Sequence, residues 1–288
     1  MLAALALAAA AAEPRFFVMG DGTLGLESAH GAGRATVTYR RADGTYDAAA
    51  LATITRVMRS SDGAEGTMSL RLIELLGWVY ADRGKKPLTI QSGYRSPDYN
   101  EAIRANGARA ASGSLHTEGL AADVALPAKE LKPLWLRIRA RECCGAGYYR
   151  ANGFLHLDVG RPRFWEPATS KVEQNLSAGN ALVFARTEYD RYVEGEPIQV
   201  TLHDVTVPPV RVATEASLVE GSQGKPVRVT ASLPEKDGCF EVAERGVRLR
   251  VEGIPPASRG KLVFRTCAPK VERTPDVVES NPIEVRAR

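Results

Sequence analysis

Residues 114–123 read Ser-Leu-His-Thr-Glu-Gly-Leu-Ala-Ala-Asp, and residues 153–160 read Gly-Phe-Leu-His-Leu-Asp-Val-Gly. The second stretch alternates like a strand, so side chains at 154, 156 and 158 share one face and those at 155, 157 and 159 the other. Leu155, Leu157 and Val159 make a wholly aliphatic face suited to a core. The opposite face sets an imidazole, His156, beside a carboxylate, Asp158. Packing alone gives no reason for that division. In the first stretch His116 and Asp123 bracket a glycine and small residues. Such a loop can turn back and bring both side chains to one point.

His116, Asp123 and His156 then form a two-histidine, one-carboxylate set. Three protein ligands with a position left for water is the arrangement of catalytic zinc. The metal lowers the pKa of its bound water toward ~7 and polarises a substrate carbonyl. The competing reading is two ordinary histidines. The chain has four histidines in all. His30, before a glycine turn, and His203, in a C-terminal β-run, need no special role.

Working outward, residues 69–82 carry Leu70, Leu72, Ile73, Leu75, Leu76, Trp78 and Val79 at helical spacing. Ser69 can cap this helix and Gly84 can end it. Leu88–Gln91 reads as a strand, followed by Ser92-Gly93-Tyr94-Arg95-Ser96-Pro97. Serine then proline starts a helix, which leaves Arg95 at a strand-to-helix junction, a common place for a site residue. Residues 131–141 read as another helix, and 13–60 as short strands and turns leading into a helix. From about residue 170 alternating runs such as Val247–Val251 and Val227–Thr230 are separated by Gly and Pro turns. These predict an all-β, immunoglobulin-like sandwich over 169–288 after a first domain over 13–168.

At 288 residues, 44% hydrophobic and 25% charged, the composition is that of an ordinary globular protein. The net charge of +4 is small and no basic cluster occurs, so nucleic acid is not an expected partner. Residues 1–12 form a short Ala-rich apolar run, read as the remnant of a signal peptide and hence export. It is too short for a transmembrane helix, which needs ~20 apolar residues. No CxxC pair is present, which speaks against a cysteine zinc site. Cys239 and Cys267 are plausible disulfide partners in an exported chain. Adjacent Cys143 and Cys144 read as buried thiols, with a vicinal disulfide as the alternative.

Ser114–Asp123 matches an S-x-H-x-x-G-x-A-x-D motif. Together with Ser92–Pro97, Gly145–Tyr149, Gly153–Asp158 and Arg163-Phe164-Trp165, it resembles the zinc D-Ala-D-Ala carboxypeptidase and murein endopeptidase family, whose fold is shared with hedgehog signalling domains. The likeness is to its YcbK-like periplasmic branch and covers residues ~15–166. It implies an α+β zinc-peptidase domain, a small antiparallel sheet flanked by helices, with the metal in an open cleft. It implies His116, Asp123 and His156 as zinc ligands and Arg95 as a cleft residue binding a substrate carboxylate or carbonyl; a structural pair is the alternative for Arg95. Ser114 would steady His116 by a hydrogen bond, and Tyr148 and Tyr149 would line the substrate groove or pack in the core. Several relatives carry a Glu or Asp three residues before the last histidine as general base; here that position is Gly153. Asp158 is the nominated replacement, with orientation of a ligand as its alternative role. Glu118 and Glu142 are weaker candidates, and Glu118 reads as solvent-facing. The expected function is zinc-dependent hydrolysis of peptide bonds in peptidoglycan stems or cross-links in the periplasm, endopeptidase before D-Ala carboxypeptidase. The rivals are a non-catalytic zinc-containing binding module and a peptidase of secreted proteins. The C-terminal domain would hold the enzyme on the wall or meet a protein partner.

Overall fold

The computed structural model describes residues 13–106, 113–169, 179–244, 246–271 and 273–288. The expected export segment, residues 1–12, lies outside the described residues.

The first half is α+β. In chain order it runs β1 (Thr23–Ser28), β2 (Arg34–Thr38), α1 (Ala48–Val57), α2 (Leu70–Asp82), β3 (Leu88–Ser92), α3 (Pro97–Ala105), β4 (Ala121–Ala125), α4 (Ala128–Arg139), β5 (Gly145–Tyr149), β6 (Phe154–Asp158) and β7 (Arg163–Trp165). The strands form one seven-stranded sheet in the order β2-β1-β3-β4-β6-β5-β7. The sheet is larger than expected, and mixed rather than antiparallel: β1 pairs with β3, and β5 with β7, in parallel. The reason lies in the connections. Antiparallel β2 returns the chain to the end from which β1 began, and after α1 and α2 strand β3 starts again from that end, as a parallel neighbour requires.

Helix starts follow local chemistry. The Asp47 carboxylate accepts from the Ala50 N–H at 2.9 Å ahead of α1, and Ser96 Oγ accepts from the Tyr99 N–H at 3.0 Å ahead of α3. Ser69 stands at the cap position of α2 without a side-chain bond. Helix α4 begins at Ala128, before the expected 131, because Pro127 sets up a first turn in which the Glu130 N–H reaches the Pro127 carbonyl at 2.8 Å. Leu72, Ile73, Leu75, Leu76 and Val79 of α2 are buried against the sheet. Among them sits a carboxylate, Glu74, at 0% exposure. It accepts from Tyr39 Oη (2.8 Å), Tyr46 Oη (2.9 Å), Arg40 Nε (2.7 Å) and the Gly20 N–H (3.1 Å), so the buried charge is fully bonded. Burial and the Glu74 charge together push the Tyr39 and Tyr46 phenols well above their usual range.

The second half is all-β: β8 (Phe184–Thr187), β9 (Arg191–Val193), β10 (Ile198–His203), β11 (Val210–Glu220), β12 (Gln223–Thr230), β13 (Glu235–Lys236), β14 (Cys239–Val242), β15 (Arg248–Glu252), β16 (Ser258–Thr266) and β17 (Val277–Arg286). These strands are linked in one hydrogen-bonded order, β8-β10-β15-β12-β11-β16-β17-β9, with β13 and β14 added beside β11. They form one sheet curled as a half-barrel around its own apolar core. Register shifts along β11–β16 and β16–β17 mark bulges, which bend long strands around such a core. The two ends of the order approach each other, where Asn281 Oδ1 of β17 accepts from the Thr187 N–H of β8 at 3.0 Å. Cys239 and Cys267 are disulfide-bonded, 28 residues apart in sequence. Cys143 and Cys144 are also bonded to each other, which corrects the reading of two thiols.

No described strand joins one sheet to the other, yet the halves are packed together. Phe184 of β8 enters the core of the first half. The Phe17 N–H donates to Asp190 at 2.8 Å, and Arg71 of α2 pairs with the same carboxylate. Among the described residues no helix is long and apolar enough to cross a membrane.

Candidate metal centre

Strands β4 and β6 are antiparallel neighbours, with Asp123 directly opposite His156 and Ser92 of β3 opposite Asp123 on the other side. Directly opposed residues point to the same face of a sheet, so the register alone brings carboxylate and imidazole together. His156 Nδ1 lies 2.9 Å from Asp123 Oδ1. His116 arrives from the 3₁₀ turn Leu115–Glu118 that leads toward β4. Its Nδ1 sits 2.7 Å from the Gly93 carbonyl, so that nitrogen carries the proton and donates. Nε2 therefore faces inward, 3.2 Å from His156 Nδ1 and 3.5 Å from Asp123 Oδ1. One ligand atom from each of the three residues lies within 4.8 Å of the others.

The protonation states decide whether the set fits a cation. His116 Nε2 bears a lone pair. Burial, with His116 only 2% exposed, drives its pKa down and keeps it neutral. The other nitrogen of His156, Nε2, faces Asp158 Oδ2 at 3.2 Å. With a proton there, His156 Nδ1 is a second lone pair directed at the first. Asp123 Oδ1 is a third. Three acceptors thus converge with no donor among them, an arrangement that a cation at the centre relieves. Two imidazole nitrogens and a carboxylate oxygen are donors that zinc takes, so the residues present fit the metal. In the metal-free chain a proton on His156 fills the role. Burial lowers the His156 pKa, but the carboxylates of Asp123 and Asp158 outweigh it and the net shift is upward. Burial would raise Asp123, yet His116 and His156 hold it well below the usual carboxylate range.

The surrounding groups fix these side chains. Arg95, at the β3–α3 junction, donates through Nη2 to Asp123 Oδ2 at 2.9 Å and through Nε to Ser92 Oγ at 2.8 Å. Asp158, at 0% exposure, accepts from the Gly160 N–H at 2.8 Å and pairs with Arg163 Nη2 at 3.0 Å. Burial opposes its ionisation, but Arg163 and His156 outweigh burial and hold its pKa at about 2. Asp158 lies on the Nε2 side of His156, across the ring from the nitrogen that faces Asp123 and His116.

Other expected residues are placed differently. Ser114 starts the turn, but its backbone carbonyl, not its hydroxyl, is engaged, accepting from the Thr117 N–H at 2.9 Å; the Gly93 carbonyl holds His116 instead. Tyr148 is opposite Leu155 in the ladder and is buried against Trp135 on the core face, so it does not line the metal face. Tyr149, one residue on, stands opposite Phe154 and stacks on it at 4.6 Å. Gly153 has φ 72° in the turn before β6 and presents no carboxylate. Glu142 borders a cleft between the halves together with Cys143 and Cys144, away from the ligands. Glu118 is not solvent-facing: it accepts from His203 Nδ1 at 2.6 Å and from the Asp204 N–H at 2.9 Å.

Trp165, the last residue of β7, carries no expected role from the sequence but stands beside the cluster. Its ring lies 5.3 Å from that of His156, and its Nε1 donates to Tyr149 Oη at 3.1 Å. Gly147, opposite His156, makes room for it, because a Cβ there would come within 2.6 Å of the indole. A glycine facing the histidine across the ladder was the available signal.

The family model described as peptidoglycan L,D-endopeptidase MepK matches residues 18–165. The chain belongs to that family. The match takes in Arg95, His116, Asp123, His156 and Asp158 and ends before the half-barrel begins. Proteins named peptidoglycan L,D-endopeptidase MepK from Escherichia coli K12 and from Shigella flexneri are each 36% identical over 81 residues. That stretch is 28% of this chain and 44% of theirs, so the match spans less than half the length of these relatives.

Proposed function

We propose that the chain is an exported, periplasmic zinc peptidase that cleaves peptide bonds in peptidoglycan stems or cross-links. Membership of the MepK family and the relatives' names favour an endopeptidase, on L,D linkages, over a D-Ala carboxypeptidase. The observation that carries the reading is the convergence of His116 Nε2, Asp123 Oδ1 and His156 Nδ1, which all lie within 4.8 Å of one another. On this reading residues 13–168 are the peptidase domain, and 169–288 are an accessory domain of immunoglobulin-like kind.

His116, Asp123 and His156 would hold zinc, which when bound acidifies water and polarises the scissile carbonyl. Asp158 accepts the Nε2 proton of His156 and keeps Nδ1 turned inward, the service that a carboxylate behind a ligating histidine performs. That orienting role suits its position better than the base role nominated for it. Arg95 fixes Asp123 with Nη2 and leaves Nη1 for a substrate carboxylate or the negative charge developing at the carbonyl oxygen. Tyr149 and Trp165 wall the same face and offer flat apolar surface to a stem peptide. This reading leaves Tyr148 and Ser114 out of the substrate-binding set, since Tyr148 packs on the core face against Trp135 and the Gly93 carbonyl holds His116. The second reading, a zinc-containing module that binds without cleaving, draws on Gly153, which offers no base where several relatives carry one.

The test is digestion of purified sacculi with the full chain, followed by muropeptide chromatography. Cleaved cross-links that disappear with chelator or in His116→Ala are expected. Intact muropeptides from a chain carrying stoichiometric zinc would leave the binding module, and cleavage of casein instead would move the substrate to proteins.

A further inference from the structure

The half-barrel touches the first half at two points that lie two to four residues from His116 and His156 in the chain. Glu118 follows His116 by two residues in the same 3₁₀ turn. Its carboxylate is held by the ring of His203, at the end of β10, and by the backbone N–H of Asp204. A Cβ on Gly113, just ahead of the turn, would collide with the Asp204 carboxylate, so the contact is close on both flanks of Leu115–Glu118. The loop behind His203 is itself braced. Buried Asn180 accepts from the N–H groups of Thr206 and Val207 at 3.1 and 3.0 Å and donates to the Val207 carbonyl at 2.6 Å.

The second point is Arg186 of β8, 8% exposed. Its Nε donates to the Val159 carbonyl at 2.7 Å and its Nη2 to the Gly160 carbonyl. The Gly160 N–H in turn donates to Asp158 at 2.8 Å, and Asp158 meets His156. Strands β8 and β10 are adjacent, with His203 opposite Phe184 and Thr201 opposite Arg186. One strand pair therefore grips the turn that carries His116 and the loop that follows His156.

We propose that the C-terminal half is a built-in brace of the metal centre, with His203 and Arg186 as positioning residues that pre-set His116 and His156 for the ion. The proposal rests on the zinc assignment above and adds that residues outside the family match tune it. Groups that orient a metal ligand typically change metal affinity by ~10–100-fold when removed. A domain that only tethered the enzyme would have no such effect.

The experiment measures the zinc dissociation constant of the full chain by competition with a chromophoric chelator, and the visible spectrum of the cobalt-substituted protein. His203→Ala and Arg186→Gln should each bind zinc about tenfold or more weakly and shift the cobalt bands while still unfolding cooperatively. His203→Asn, whose amide N–H can stand in for Nδ1–H, should restore most of the affinity. Arg15→Met, which breaks an ion pair to Glu196 and touches neither gripped segment, should leave zinc binding as in the parent. Folded His203→Ala and Arg186→Gln chains with parental affinity and spectrum would overturn the proposal. Should one variant fail to fold, the other gives the same reading. A parent chain that binds no zinc would instead overturn the metal assignment, and this proposal with it.

Discussion

His156 stands between two carboxylates, and the difference between its two nitrogens organises the site. Nδ1 faces Asp123 and the ligand cluster, whereas Nε2 faces Asp158. Asp158→Asn should therefore keep the fold and weaken zinc binding by ~10–100-fold, read by chelator competition; unchanged affinity would remove the orienting role. The same carboxyl sets a pH dependence. Its folded, metal-free pKa is about 2, against ~3.9 for an unfolded Asp. The unfolded chain takes up that proton first, so the stability contributed by Asp158 is whole above about pH 4 and is lost as pH falls toward 2. Acid unfolding of the zinc-free chain, followed by circular dichroism, should show less loss across that window in Asp158→Asn than in the parent. The convergence of His116, Asp123 and His156 was legible because Ser114–Asp123 and Gly153–Asp158 carry the family's motifs. The difference between Tyr148 and Tyr149 was not, since strand register assigns neighbours to opposite faces and depends on a partner far along the chain. Glu118 read as solvent-facing because its partner, His203, is 85 residues away.

At the scale of elements, the 3.6-residue period in α2 announced the helix and its buried face, but not Glu74. A charge within an apolar run reads as a solvated one. Its partners at Gly20, Tyr39, Arg40 and Tyr46 assemble only once β1, β2 and α2 have packed. Glu74→Ala would strand two phenols and a guanidinium around an empty space, and is expected to destabilise by ~3–5 kcal/mol in urea unfolding. A loss below ~1 kcal/mol would mean that water replaces the carboxylate freely. The parallel pairing of β1 with β3 was equally hidden, because strand patterns do not encode which neighbour is chosen. In the half-barrel the Cys239–Cys267 bond closes a loop of 28 residues. Replacing both by alanine should lower stability by ~3–4 kcal/mol on the chain-entropy account, measured by denaturant unfolding under oxidising conditions. No change would contradict that account.

For the whole molecule, alternating runs after residue 170 foretold an all-β second half, while its closure as one curled sheet depends on bulges in β11, β16 and β17 that composition does not reveal. Nor did the sequence show that this half meets the ligand-bearing turn. His203, which the sequence presents as a histidine of a β-run with no special role, meets Glu118 only when the halves dock. On the proposed reading the peptidase half, the His116–Asp123–His156 metal set and the brace from the second half work as one unit that hydrolyses peptidoglycan peptides. The most direct measurement gives the zinc-loaded full chain a purified L,D-cross-linked muropeptide dimer and follows monomer release by chromatography. Release that stops with chelator and in His156→Ala is predicted; an intact dimer in the presence of one bound zinc per chain would contradict the claim.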